Sequence, residues 1–268
     1  MTGNQISIPG TQDRATMPSI FLAHGSPFLL DDQPWINELK TWADNMPRPR
    51  AILMISAHWE ERPITLGATA TVPLVYDFYG FPEKYYQVTY PAPGAPELAQ
   101  RVRELLGKDK VGSDPTRGLD HGAYVPLRAM YPLADVPVLQ MSIPTQNPKA
   151  LFELGRALAP LREEGVLIMG SGFLIHNLRL FSFHPVAPPE WANEFDHWAT
   201  DVFARKDADA LLDYRSKAPA VNIALPTHEH FIPSIVAMGT TSDKVEPVTF
   251  PITGFVGGPH TKRSVQFG

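Results

Sequence analysis

Ala51-Ile52-Leu53-Met54-Ile55-Ser56-Ala57-His58-Trp59 is an apolar run that ends in a serine and a histidine. Pro47-Arg48-Pro49 ahead of it marks a turn. A short continuous run of this kind reads as a strand buried on both faces, the habit of a parallel or mixed sheet covered by helices. Open α/β sheets place their ligands outside the carboxyl ends of such strands. His58 is therefore either at an active site or a costly buried polar group. Ser19-Ile20-Phe21-Leu22-Ala23-His24-Gly25-Ser26-Pro27 repeats the design, with a histidine and a Gly-Ser-Pro turn after the strand. If the two strands are neighbours, two imidazoles stand side by side, the first requirement of a metal site.

With 268 residues, 44% of them hydrophobic, the chain has enough apolar material for one large α/β domain. A formal net charge of -5 without a long basic run argues against nucleic acid or an anionic membrane as the main partner and favours a small-molecule substrate. There are no cysteines, so a metal would be held by nitrogen and oxygen, and nine histidines are the supply. Residues 1–16 are polar and too short of apolar residues for a signal peptide or a membrane span. They are expected to form a flexible tail on a cytoplasmic protein whose folded domain occupies residues 17–268.

Along the chain, residues 34–45 carry Trp35, Ile36, Leu39 and Trp42 at helical spacing. Residues 64–68 read as a strand, 95–107 as an amphipathic helix with Pro96 in its first turn, 136–143 as a strand, 148–163 as a helix and 166–172 as another buried strand. A helix is expected from near Val125 to Tyr131, outer helices over 190–204 and 208–214, an apolar helix over 234–238, and a closing strand pair from 248–254 and 264–267. Tyr76-Asp77-Phe78-Tyr79-Gly80-Phe81-Pro82 shows neither period and reads as a loop whose four rings either line a pocket, the favoured reading, or form a minor cluster pinning a long loop. The expected architecture is a single α/β domain with a central mixed, mostly parallel β-sheet flanked by helices and a metal site at one rim of the sheet.

His24, His58, His121, His176 and His228 or His230 fall at element ends, whereas His184, His197 and His260 look like surface or loop residues. One such histidine alone is best read as a hydrogen-bonded structural residue. Five change that balance. They do not form the His-Glu-x-x-His helix of zinc proteases. An all-nitrogen set, or nitrogen with one carboxylate, suits Fe(II) or Zn(II).

His24-Gly25-Ser26-Pro27, Ser56-Ala57-His58-Trp59, Asp77-Phe78-Tyr79-Gly80-Phe81-Pro82, Tyr90-Pro91-Ala92-Pro93-Gly94, Asp120-His121-Gly122, His176-Asn177-Leu178 and Glu229-His230-Phe231-Ile232-Pro233 together resemble the class III extradiol ring-cleaving dioxygenases, in their DOPA 4,5-dioxygenase-like branch. The resemblance runs from about Pro18 to the C-terminus. It implies a catalytic domain over residues 17–268, with metal ligands His24, His58 and His230. Glu229 is the alternative third ligand, because related branches use a glutamate. Read as an extended segment, Glu229 would point away from the side shared by His228 and His230. The resemblance also implies an acid/base role for His176, which is a candidate fourth ligand, and a supporting catalytic place for His121. Substrate contacts are expected from Ser26, Phe28, Tyr79, Phe81 and His228.

The implied activity is a non-haem Fe(II)-dependent cleavage of a catechol ring, in DOPA or a related catechol, with O2 to a muconic semialdehyde. Iron is expected because zinc is redox-silent, although Zn(II) can occupy the purified protein. Two other classes compete: a zinc hydrolase with His176 or Glu229 as base for a metal-bound water, and a non-enzymatic binding protein resembling the Memo-like relatives. Oxygen uptake separates the first reading from the hydrolase, and native metal separates it from the binding protein.

Overall fold

The computed structural model describes residues 16–242 and 245–268; the expected tail over 1–16 lies, except for Thr16, outside them. Its strands are β1 (Ser19–Ala23), β2 (Ala51–Glu60), β3 (Ile64–Leu66), β4 (Val111–Ser113), β5 (Val138–Ile143), β6 (Val166–Gly172), β7 (Val248–Ile252), β8 (Phe255–Val256), β9 (His260–Thr261) and β10 (Ser264–Phe267). The helices are α1 (Gln33–Asn45), α2 (Pro96–Leu106), α3 (His121–Met130), α4 (Pro148–Leu158), α5 (Pro160–Glu163), α6 (Glu190–Ala204), α7 (Ala208–Leu212), α8 (Tyr214–Lys217), α9 (Val221–Ala224) and α10 (Pro233–Gly239).

All strands but β8 and β9 form one sheet in the order β4-β3-β5-β2-β6-β1-β10-β7. The central β5, β2, β6 and β1 are parallel, β10 and β7 close one edge antiparallel, and β3 runs antiparallel to β5 at the other. This is the mixed, mostly parallel α/β sheet expected from its apolar strands. Alternation along β2 explains why it is apolar from Ala51 to Ile55. Ile52 and Met54 pack under α1 and α3 with Trp35, Leu39 and Leu127, whereas Leu53 and Ile55 pack under α2, α4 and α10 with Leu98, Leu151 and Ile235. Burial on both faces leaves Ser56, which donates to Asp120 Oδ1 at 2.8 Å, as the one polar side chain of the strand before His58.

Of the boundaries that differ from the sequence reading, two have a plain physical reason. The expected helix over 148–163 breaks at Ala159, ahead of Pro160, into α4 and α5, because proline has no N–H for the ladder. The third helix begins at His121 and not near Val125: the Asp120 carboxylate accepts from the Ala123 N–H at 3.2 Å and caps the end. Pro126 lies inside this helix, so the Gly122 carbonyl, four residues earlier, receives no helical hydrogen bond.

The strands bearing the first two histidines are not neighbours. β6 runs between β1 and β2, and its end is Gly170-Ser171-Gly172. A Cβ on Gly172 would meet the His230 carbonyl oxygen at 2.0 Å, and one on Gly170 would meet that of Pro233 at 2.6 Å. The small end of β6 lets the turn before α10 close over the sheet, while β1 and β2 bring their histidines in from either side.

Candidate metal centre and active site

His24 follows β1 directly, and its N–H bonds the Gly172 carbonyl at 3.2 Å. His58 sits at the end of β2, where its register with β5 shifts between Ile55 and Glu60. His230 lies in a turn whose Phe231 and Ile232 N–H groups bond the His228 carbonyl at 3.0 and 3.2 Å, and its own carbonyl accepts from Phe173 N–H at 2.9 Å. This turn, not an extended segment, carries Glu229. The three rings converge: centroids of His24 and His58 are 4.9 Å apart, His24 and His230 5.4 Å, His58 and His230 4.9 Å. One nitrogen from each lies within 4.8 Å of the others, and the Nε2 atoms of His24 and His58 are 3.1 Å apart.

The Nδ1 side of each ring explains the orientation of its Nε2. Ser171 Oγ donates to the free Gly122 carbonyl at 2.5 Å and so accepts from His24 Nδ1 at 3.0 Å. His58 Nδ1 faces Asp77 Oδ2 at 3.3 Å, and His230 Nδ1 donates to Glu229 Oε1 at 2.8 Å. With a proton fixed on Nδ1, each ring offers a lone pair on Nε2. Metal-bound histidines are oriented in this way, by an acceptor on the far nitrogen. His230 Nε2 is buried with no hydrogen-bond partner, a state that buried polar atoms avoid unless something binds them. The donor set therefore fits a metal ion held by three imidazoles. Burial, helped by neighbouring imidazoles, keeps His24 and His230 well below the ordinary 6.5, and burial brings His58 down to about 4. All three are neutral at pH 7, as ligation requires.

Glu229 is occupied elsewhere. Besides His230 it accepts from Thr227 Oγ1 at 3.0 Å, and it lies 3.9 Å from His176 Nδ1. His176 stacks on His230, centroids 3.4 Å apart and planes 13° from parallel, and burial lowers it to about 4, with the Glu229 charge partly opposing. His121 packs against His58 at 4.0 Å, its Nδ1 bonded to Asp77 Oδ1 at 2.7 Å and its N–H to the same oxygen at 3.1 Å. Burial alone would raise the Asp77 carboxyl, but these His121 bonds hold it below its usual value.

The aromatic wall is partly as expected. Phe81 contacts Phe28 at 4.7 Å and Phe78 at 5.1 Å, and Phe78 reaches His121 at 5.7 Å. Ser26 caps the short helical turn that carries Phe28. Tyr79, expected in the lining, is instead 93% exposed; it sits at the tip beside Gly80, whose φ of +77° reverses the loop so that Phe78 and Phe81 face inward. His228, expected at the substrate, lies edge-on against Tyr214 at 5.5 Å.

Sequence reading missed three acceptors and one histidine. Asp77 was visible only as the single acid of an aromatic loop. Asp120 could have been found as a helix cap before His121-Gly122. Ser171 had no signal beyond the small residues around it. His260, expected on the surface, is 2% exposed, because the Gly257-Gly258 turn, with φ of +59° and +87°, folds the β8–β9 hairpin inward.

Comparisons with known proteins supply the family. A family model described as the catalytic LigB subunit of aromatic ring-opening dioxygenase matches residues 18–257. A protein of Escherichia coli named 4,5-DOPA dioxygenase extradiol is 39% identical over 259 residues, covering 94% of this chain and 95% of its own length. One of the same name from Beta vulgaris is 42% identical over 235 residues, covering 84% and 87%. The crystal structure of an uncharacterized protein from Escherichia coli K12 superposes with a TM-score of 0.80 at 35% identity, covering 94% of this chain and 100% of that one. With the family match spanning most of the sheet and the histidine centre, the chain belongs to the class III extradiol dioxygenases, the family of the LigB catalytic subunit of aromatic ring-opening dioxygenases.

Proposed function

We propose that the protein is a non-haem Fe(II)-dependent extradiol dioxygenase that opens the ring of DOPA or a related catechol beside its diol, using O2 and giving a muconic semialdehyde. The observation that carries this reading is the convergence of one ring nitrogen from each of His24, His58 and His230 within 4.8 Å, each ring held from its Nδ1 side. The printed name of the relatives from Escherichia coli and Beta vulgaris puts DOPA first among substrates to try. His24, His58 and His230 would hold the metal. When bound, Fe(II) supplies positive charge that favours the ionised diol, together with redox access to O2 that zinc lacks.

The remaining residues act on the substrate. His176 is neutral at pH 7 and accepts a diol proton at Nε2, its Nδ1 being turned toward Glu229; that carboxylate then favours the imidazolium. His121 is pinned through Nδ1 by Asp77, which leaves Nε2 as the nitrogen that can meet the substrate. Phe28, Phe78 and Phe81 give a flat ring an apolar wall, and Ser26 stands beside it.

Protein loaded with Fe(II) without air, then given a catechol panel and O2, should consume O2 in equal amount to substrate and form a yellow ring-fission product. Absence of uptake and colour across the panel would overturn the reading. A zinc hydrolase would turn over without O2; no feature of the site favours it.

A further inference from the structure

His58 lies on a stretch of β2 that has left the ladder. β2 pairs with β6 as far as Ser56 and with β5 as far as Ile55, and the β5 pairing resumes only at Glu60. Ala57, His58 and Trp59 therefore take no register partner from either neighbour. A ligand on such a stretch needs its main chain held by other groups before its ring can be fixed.

Both main-chain groups of His58 are held through one carboxylate. Its N–H donates to Ser56 Oγ at 3.2 Å, and that hydroxyl donates to Asp120 Oδ1 at 2.8 Å. Its carbonyl accepts from Arg117 Nη2 at 3.4 Å, and the same nitrogen donates to Asp120 Oδ2 at 3.2 Å. Gln140 on β5 braces the acid from behind: its Nε2 donates to Asp120 Oδ2, and its Oε1 accepts from the Asp120 N–H at 3.3 Å. Asp120 is fully buried. The Arg117 guanidinium also lies over the Trp59 ring, 5.1 Å from its centroid, so it grips two consecutive residues of the unpaired stretch.

A helix cap alone does not need this arrangement. The Ala123 N–H would suffice for Asp120 as the cap of α3, and an ion pair with Arg117 needs neither a serine nor the His58 carbonyl. The cap adds a second hold. It starts α3 at His121, whose N–H and Nδ1 meet Asp77 Oδ1, while Asp77 Oδ2 faces His58 Nδ1. A closed loop of polar contacts thus runs from the His58 main chain through Ser56 and Arg117 to Asp120, across the first turn of α3 to Asp77, and back to the His58 ring. That turn lies directly against the ring: a Cβ on Gly122 would meet Ser56 Oγ at 2.5 Å and His58 Cδ2 at 2.9 Å.

We propose that Arg117 is a positioning residue for the metal centre: paired with Asp120, it holds the His58 main chain in the place from which its ring nitrogen joins those of His24 and His230. This rests on the reading of the three imidazoles as metal ligands. Arg117 acts only through His58, and it lies outside every motif that carries the family resemblance.

The test measures Fe(II) affinity without air, by competition with a chelator, and the visible spectrum of the Co(II)-loaded protein, whose bands follow ligand geometry. Arg117→Met keeps an apolar stem against Trp59 and removes the donors. The Arg117 side chain is 19% exposed, so the variant is expected to fold, and a thermal melt verifies it. Its Fe(II) affinity is expected to fall about 10–100-fold, with a shift of the Co(II) bands. Arg117→Lys, which returns a donor and a positive charge, is expected to restore most of both. Affinity and spectrum unchanged in Arg117→Met, with or without a lower melting temperature, overturn the assignment and leave the three-histidine centre intact. Lysine no better than methionine overturns it as well. Failure of the unsubstituted protein to bind either ion overturns both the assignment and the metal reading.

Discussion

Asp77 serves two imidazoles with one carboxylate, Oδ2 toward His58 Nδ1 and Oδ1 toward His121 Nδ1. It therefore fixes a candidate metal ligand and a candidate substrate contact together, although it touches neither ion nor ring. Replacing it with Asn keeps the shape and removes the charge. Asp77→Asn is expected to lower Fe(II) affinity by about 10–100-fold, read by competition with a chelator; unchanged affinity would show that His58 is oriented by packing alone. The same buried imidazoles make stability depend on acid. His58 and His176 titrate near 6.5 when unfolded but about 4 in the fold, so below pH 6.5 the unfolded chain binds more protons. Metal-free protein should lose stability as the pH falls from 6.5 toward 4 and lose no more from these groups below that. Urea unfolding at pH 7.5, 5.5 and 4 measures this, and equal midpoints at 7.5 and 5.5 would contradict it.

At the scale of elements, a break in a helix is used to aim a ligand. Pro126 withholds the hydrogen bond that the Gly122 carbonyl would accept in an unbroken α3, Ser171 Oγ supplies it, and the same oxygen then takes the His24 Nδ1 proton. Pro126→Ala restores a helical N–H to compete with Ser171. The expected result is retained or increased thermal stability, since proline is costly in a helix interior, with weaker Fe(II) binding. Undiminished binding would mean that Ser171 holds His24 without help from the break. Such couplings explain what could be read from sequence. β1, β2 and β6 announced themselves because burial on both faces requires unbroken apolar runs. β8 and β9, of two residues each, are too short to show a period, so the inward turn of His260 was hidden. The start of α3 was missed because Gly122 reads as a turn residue and hides the Asp120 cap.

Across the whole molecule, the parallel direction of β1, β6 and β2 matters more than their adjacency. Three carboxyl ends share one rim, and the glycines of β6 let the middle one recede. The α/β class and the gathering of histidines at a rim were legible, since strand ends and histidines coincide along the chain. Strand order was not, because it is set by pairings over more than a hundred residues, such as Ser19 with Ile168. Nor could sequence separate Glu229 from His230, as adjacent residues differ only in how the turn aims them. Among the described residues no helix is long and apolar enough to cross a membrane.

That last distinction tests the account most directly. Anaerobic Fe(II) titration should give one ion per chain for the unsubstituted protein, no measurable binding for His230→Ala, and retained binding, weakened by about 10–100-fold, for Glu229→Gln. Full loss in Glu229→Gln with binding preserved in His230→Ala would contradict a centre built from three converging imidazoles.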